Sequence, residues 1–176
     1  DSTAILAPNK EPVSYAQLIK KADEIGSLIK GRSLTVLICS NRTIVLAAYI
    51  GLLRAGSVLL LVNHTTSRAQ LDELIKEFRP AYIAAPTKDQ YIGKRYDLNC
   101  GLTLFETDEK IDYRLHNDLA VLLSTSGSTG SKSLVRLSYR NLQHNAQSIA
   151  SYLNITAQDR PITTMPMSYS FGLSII

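Results

Sequence analysis

Apolar positions recur along this chain with two different periods, and the alternation between them predicts most of its elements. Ser14 followed by Gln17 is a capping box. It opens a helix expected over Tyr15 to Lys30, whose apolar face is Leu18, Ala22, Ile25 and Ile29. Leu34 to Cys39 is then a nearly unbroken apolar run, as expected of a strand covered on both faces. Asn41 is placed to cap a second helix over Thr43 to Ala55, which Gly56 ends. Ser57 to Val62 reads as a second buried strand. Ser67 and Gln70 repeat the capping box before a helix that closes near Phe78, with Pro80 just beyond, and Tyr82-Ile83-Ala84 is the next short strand.

The order strand, helix, strand, helix, strand with short connections predicts an α/β fold: a doubly wound, mainly parallel sheet flanked by helices. This unit occupies residues 1–85. Residues 86–117 are weakly patterned, with one expected strand at Leu102 to Phe105. In residues 118–176, Leu119 to Leu123 and Leu134 to Leu137 read as strands. Ser138 then caps a helix whose expected inner face is Leu142, Ala146, Ile149, Ala150 and Leu153, and a further strand is expected on the substrate side beyond it.

Between the last two predicted strands the chain runs Ser124-Thr125-Ser126-Gly127-Ser128-Thr129-Gly130-Ser131-Lys132-Ser133. Glycines let backbone N–H groups converge in conformations that a Cβ would forbid, and converging amides form a concavity for anions. The hydroxyls add neutral donors and Lys132 adds charge. Ser/Gly-rich composition equally suits a surface loop, so the flanking pattern decides. The helix-mounted phosphate loop G-x-x-x-x-G-K-[ST] does not fit. Lys132 follows Ser131 rather than glycine, Gly127 is one residue too close to it, and the next helix starts only at Ser138. This loop joins strand to strand.

Composition removes other classes. With 45% hydrophobic and 19% charged residues, the 176-residue chain is an ordinary globular one. Its net charge of +4 is dispersed, Lys20, Lys21, Lys30, Arg32, Arg68, Lys76 and Arg79 being scattered over predicted helix surfaces rather than forming a stripe, so no nucleic-acid partner is expected. Cys39 and Cys100 make no disulfide framework, and His64, His116 and His144 lack metal-ligand spacing, so no metal site is expected in the protein itself. The longest apolar stretch, Ile44 to Leu53, is too short for a bilayer and no signal peptide is visible; the expected location is cytoplasmic. Asp1 at one end and Ile175-Ile176 at the other suggest a piece of a longer protein.

The loop Thr125-Ser126-Gly127-Ser128-Thr129-Gly130, with Ser131-Lys132, Leu134-Val135 and Ser138-Tyr139-Arg140-Asn141-Leu142 behind it, resembles the signature of the adenylate-forming enzymes: acyl-CoA synthetases, peptide-synthetase adenylation domains and luciferases. Leu53-Arg54-Ala55-Gly56-Ser57-Val58-Leu59-Leu60 and Pro166-Met167-Ser168-Tyr169-Ser170-Phe171-Gly172 are similar to two further segments of that family, in the same order. The resemblance covers the chain from about residue 12 onward. It implies the first part of the large N-terminal domain, with the C-terminal domain absent. It also implies an ATP-dependent acid–thiol ligase that forms an acyl-adenylate from a carboxylic acid and then a thioester.

The site residues implied are Thr125 to Gly130 for the nucleotide phosphates, Lys132 as the catalytic cation, and Tyr169 and Gly172 near the acid. The implied cofactors are ATP as its Mg²⁺ complex, and coenzyme A or a carrier protein's phosphopantetheine as acceptor. Two departures stand out. The usual proline and lysine positions hold Lys132 and Ser133, so the lysine is one residue early, and Tyr169 stands where many acyl-CoA synthetases have histidine. Because the family's acidic motifs and C-terminal lysine are not within 176 residues, the chain alone is expected not to catalyse adenylation. The competing reading is a non-catalytic nucleotide- or acyl-binding module on the same fold, which the displaced lysine favours. Gly172 also fits a tight turn into a helix, and Tyr169 a half-buried core residue.

Overall fold

The computed structural model describes residues 2–8, 10–109, 114–124 and 134–176. Three parallel strands follow one another as expected: β3 (Leu34–Cys39), β4 (Val58–Asn63) and β5 (Tyr82–Pro86), linked by α2 (Thr43–Arg54) and α3 (Arg68–Phe78). Before them come β1 (Thr3–Ile5) and β2 (Val13–Ser14), which pair as a small ribbon, and α1 (Tyr15–Gly26). After them come β6 (Lys94–Asp97), β7 (Leu102–Glu106), β8 (Leu119–Ser124), β9 (Leu134–Ser138), α4 (Tyr139–Tyr152) and the single-turn α5 (Ser170–Leu173).

Seven strands form one sheet in the order β6-β7-β5-β3-β4-β8-β9. The four central strands are parallel, and the antiparallel strands β6, β7 and β9 extend it at the two sides. All six residues of β3 are buried, because alternate side chains serve opposite faces. Leu37, Cys39, Leu59 and Leu61 pack toward α1 and α2, while Leu34, Val36, Ile38, Val58, Leu60 and Val62 pack toward Leu71 and Leu74 of α3. Burial pushes the Cys39 thiol and the Tyr49 phenol up to about 12 each.

The helices α1 and α2 meet almost backbone to backbone. A Cβ on Gly51 would lie 2.0 Å from the Ala22 carbonyl oxygen, and one on Gly26 would lie 2.7 Å from that of Gly51. The capping boxes at Ser14, Ser67 and Ser138 all form, each side chain accepting from the backbone N–H three residues on.

Four local expectations are corrected. The first helix stops at Gly26 rather than Lys30, and Ile29 packs on the core from the loop beyond it. The second helix is N-capped by Arg42 without a side-chain bond, so Asn41 does not cap it. In α4 no residue is buried: Leu142, Ile149 and Ala150 are half-covered, while Ala146 and Leu153 are exposed. Finally, residues 155–169 form no strand, Pro161 and Pro166 lacking the N–H a ladder needs; the segment ends in α5.

Candidate functional site

In an open parallel sheet, ligands bind outside the carboxyl ends of the strands, where neighbouring connections leave toward opposite faces. Here β3 leads into α2 on one face and its neighbour β4 leads into α3 on the other, so the crevice opens between their carboxyl ends. β8 is parallel to β4 and beside it, with Leu61 opposite Leu123. Its last residue, Ser124, is therefore at the same edge of the sheet.

The expected phosphate-loop residues Thr125, Ser126, Gly127, Ser128, Thr129 and Gly130, and Lys132, lie outside the described residues. What flanks them is described. β8 and β9 are antiparallel neighbours with Ser124 opposite Leu134, so the loop connects two paired strands.

Tyr169 and Gly172 belong to a segment that returns to this edge from more than 120 residues away. The Asn41 amide, two residues past the end of β3, donates from Nδ2 to the carbonyl oxygens of Thr163 (3.1 Å) and Met165 (2.9 Å). Its Oδ1 accepts from the N–H of Met167 at 3.3 Å. Met167 inserts into the core. The chain then turns tightly, the Tyr169 N–H donating to the Pro166 carbonyl at 3.1 Å, and enters α5.

Gly172 closes that turn. A Cβ there would lie 2.2 Å from the Pro166 oxygen and 2.8 Å from the Met165 oxygen, so close approach, not an unusual φ, requires glycine. Tyr169 is 46% exposed, and Phe171 beside it is exposed as well. The neighbouring Ser168 hydroxyl is buried without a hydrogen-bond partner among the described residues.

Two residues that pattern reading missed hold this edge together. Asn41 reads in sequence as a helix cap, a role the structure gives to Arg42. Arg42 donates to the carbonyls of Cys100 and Gly101 and so docks the β6–β7 turn, in which Asn99, Cys100 and Gly101 all have positive φ. The available signal was position: an Asn-Arg pair just past a nearly unbroken apolar parallel strand sits where ligand crevices form. His64, just past β4, bonds the Cys39 carbonyl through Nδ1 at 3.2 Å; because a carbonyl only accepts, Nδ1 carries the proton and Nε2 stays unengaged by that bond.

Among the described residues, no group of three or more His, Cys, Asp or Glu is placed to hold a metal ion. Nor is any described helix long and apolar enough to cross a membrane.

A mixed, mostly parallel sheet flanked by helices, with β3, β4 and β8 ending at one edge, defines an α/β class of protein. The family model of the AMP-binding enzymes matches residues 1–176, and the chain belongs to that family. It is 24% identical to D-lysergyl-peptide-synthetase subunit 1 of Claviceps purpurea, the match covering 99% of this chain and 5% of that protein. It is 26% identical to bacitracin synthase 1 of Bacillus licheniformis, over 99% of this chain and 3% of that protein.

Among solved structures, the fold is shared with apo MatB of Rhodopseudomonas palustris (TM-score 0.74, 22% identity, 99% of this chain and 39% of that one). It is shared equally with o-succinylbenzoate CoA synthetase of Bacillus subtilis in complex with its acyl-adenylate intermediate (TM-score 0.74, 22% identity, 94% and 47%). The chain thus spans under half the length of these structural relatives and a small part of the peptide synthetases.

Proposed function

We propose that this chain is part of an ATP-dependent ligase that activates a carboxylic acid as its acyl-adenylate and passes it to a thiol, of coenzyme A or of a carrier protein's phosphopantetheine. The observation that carries this reading is the convergence on one sheet edge. The phosphate-type loop leaves β8 there, and Asn41 ties the Tyr169 segment to the end of β3. Family membership supports the adenylating chemistry, and so does the presence among the structural relatives of enzymes solved with ATP and with an acyl-adenylate.

In this reading a carboxylate oxygen attacks the α-phosphorus of MgATP, the bond to the β-phosphate bridging oxygen breaks, and pyrophosphate leaves with that electron pair. Thr125 to Gly130 supply backbone N–H and hydroxyl donors to the β- and γ-phosphates, and Lys132 supplies the mobile charge. Such donors act by stabilising charge that develops in the transition state. Tyr169 and Gly172 face the acid, Tyr169 as an aromatic wall without imidazole chemistry. The chain's short span of its structural relatives supports the view that it does not complete adenylation by itself.

The test is acid-dependent ATP–pyrophosphate exchange by the full-length protein, screened over fatty, aryl and amino acids. Exchange with one class supports the ligase. Nucleotide binding without exchange for any acid overturns it in favour of a binding module. Lys132→Ala is expected to lower the exchange rate by about 100- to 1000-fold, the range of a lost charge-stabilising donor.

A further inference from the structure

We propose that Asn41 is a positioning residue for the acid side of this site; the inference rests on the adenylation reading above. Its whole side-chain amide is spent on one distant segment, two donors and one acceptor meeting the main chain of Thr163, Met165 and Met167. No hydrogen bond runs from it to the helix that follows, whose N-cap is Arg42. The contacts fall on backbone atoms, so what Asn41 fixes is the path of the segment, whatever side chains it carries.

That path matters because its downstream part is tightly determined. Met167 is anchored in the core, and the Pro166 carbonyl is gripped by the Tyr169 N–H and packed against Gly172. The upstream part is not: residues 155–165 are exposed and belong to no helix or strand. Asn41 is the clamp between the two, and through it the end of β3 sets where the turn presents Tyr169. Catalysis and binding are sensitive to displacements of about 1 Å in such positioning elements.

Capping and clamping make opposite forecasts for one substitution. Asp caps helices as well as Asn does and suits a helix N-terminus electrostatically. A clamp cannot accept it, because a carboxylate has no donors and would face the Thr163 and Met165 carbonyls with like charge.

The experiment compares wild type, Asn41→Asp and Asn41→Ala in the full-length protein. It measures pyrophosphate exchange at varied acid and at varied ATP, and hydrogen–deuterium exchange of the peptide covering 163–169. Both variants are expected to fold with near wild-type thermal midpoints, since Asn41 is exposed. The expected result is that KM for the acid rises about tenfold in both, the order of one to two lost hydrogen bonds. KM for ATP should stay within about twofold, and the Met167 amide should exchange faster in Asn41→Ala.

Wild-type-like kinetics for Asn41→Asp, equal rises in both KM values, or unchanged deuterium uptake at 163–169 would each overturn the proposal while leaving adenylation intact. A wild type that exchanges with no acid fails the adenylation reading itself. Deuterium uptake would then still report whether Asn41 holds the segment.

Discussion

The two halves of the sheet present the same kinds of element in opposite states of completion. In β3, β4 and β5, strands with hydrophobic runs are covered on both faces, by α1 and α2 on one side and α3 on the other. β8 is buried as they are, but beyond it the equally clear amphipathic helix α4 buries nothing fully, and Tyr152, Leu153, Ile162, Tyr169 and Phe171 stand exposed. Periodicity thus reports which face of a helix is apolar; whether that face is buried depends on a partner surface, which the first half has and the second lacks among the described residues.

The largest expected effect tests that contrast directly. Leu60→Ala, at a position with no exposed surface, should cost about 2–5 kcal/mol in denaturant unfolding, the transfer and cavity terms adding. Leu153→Ala, 60% exposed, should stay within about 0.5 kcal/mol. Comparable losses at both sites would show that the second half is as well packed as the first.

Next come two glycines, one from each half, whose absent Cβ admits a neighbouring carbonyl. Gly51→Ala should cost about 1–3 kcal/mol by forcing α1 and α2 apart. Gly172→Ala meets a clash of similar size, 2.2 Å against 2.0 Å, but in a short peripheral turn. It should lower global stability less and show up as faster hydrogen exchange across 163–173.

The caps provide a smaller and finer comparison, because the same motif occurs in both halves. Ser67→Ala should destabilise by about 1 kcal/mol in unfolding. Ser138→Ala should fray the first turn of α4, seen by hydrogen exchange, with less effect on the global midpoint, since α4 is weakly coupled to the core.

At neutral pH the smallest difference lies in the two thiols. Cys100 is exposed and Cys39 is buried; a thiol reagent should modify one cysteine in the native protein and the second only on unfolding. Burial raises the folded Cys39 from its ordinary 9.0 to about 12. The unfolded thiol then ionises first, so its contribution to stability is intact below pH 9 and is lost progressively between pH 9 and 12. Cys39→Ser should flatten that alkaline decline.

Much of this was legible beforehand where chemistry is local. A hydroxyl three residues before a Gln marks a helix start from the local sequence, and the boxes at Ser14 and Ser67 formed, as did the cap at Ser138. A six-residue apolar run such as Leu34 to Cys39 can be satisfied only between two covered faces, so the doubly wound sheet followed. The resemblance carried by the loop, the Leu53–Leu60 segment and the Pro166–Gly172 segment led to the AMP-binding family, which the match over residues 1–176 shows. Asn41 was misread because an Asn before a helix has a local partner available in every sequence, while the distant partner it chose appears only on folding. β6 went unseen because its exposed Lys94, Arg95 and Asp97 carry no strand pattern; pairing with β7 makes it a strand.

What the chain determined by itself is therefore what one or two turns of backbone can decide: helix starts, buried strands, and a Ser/Thr/Gly loop between two of them. Tertiary structure alone decided that the carboxyl ends of β3, β4 and β8 share one edge, and that residues 163–169 are clamped there. It alone decided, too, that Tyr139 and Leu142 of α4 pack against the core. Those outcomes rest on contacts between residues from about twenty to more than a hundred positions apart, whose energies exist only after the chain has closed on itself.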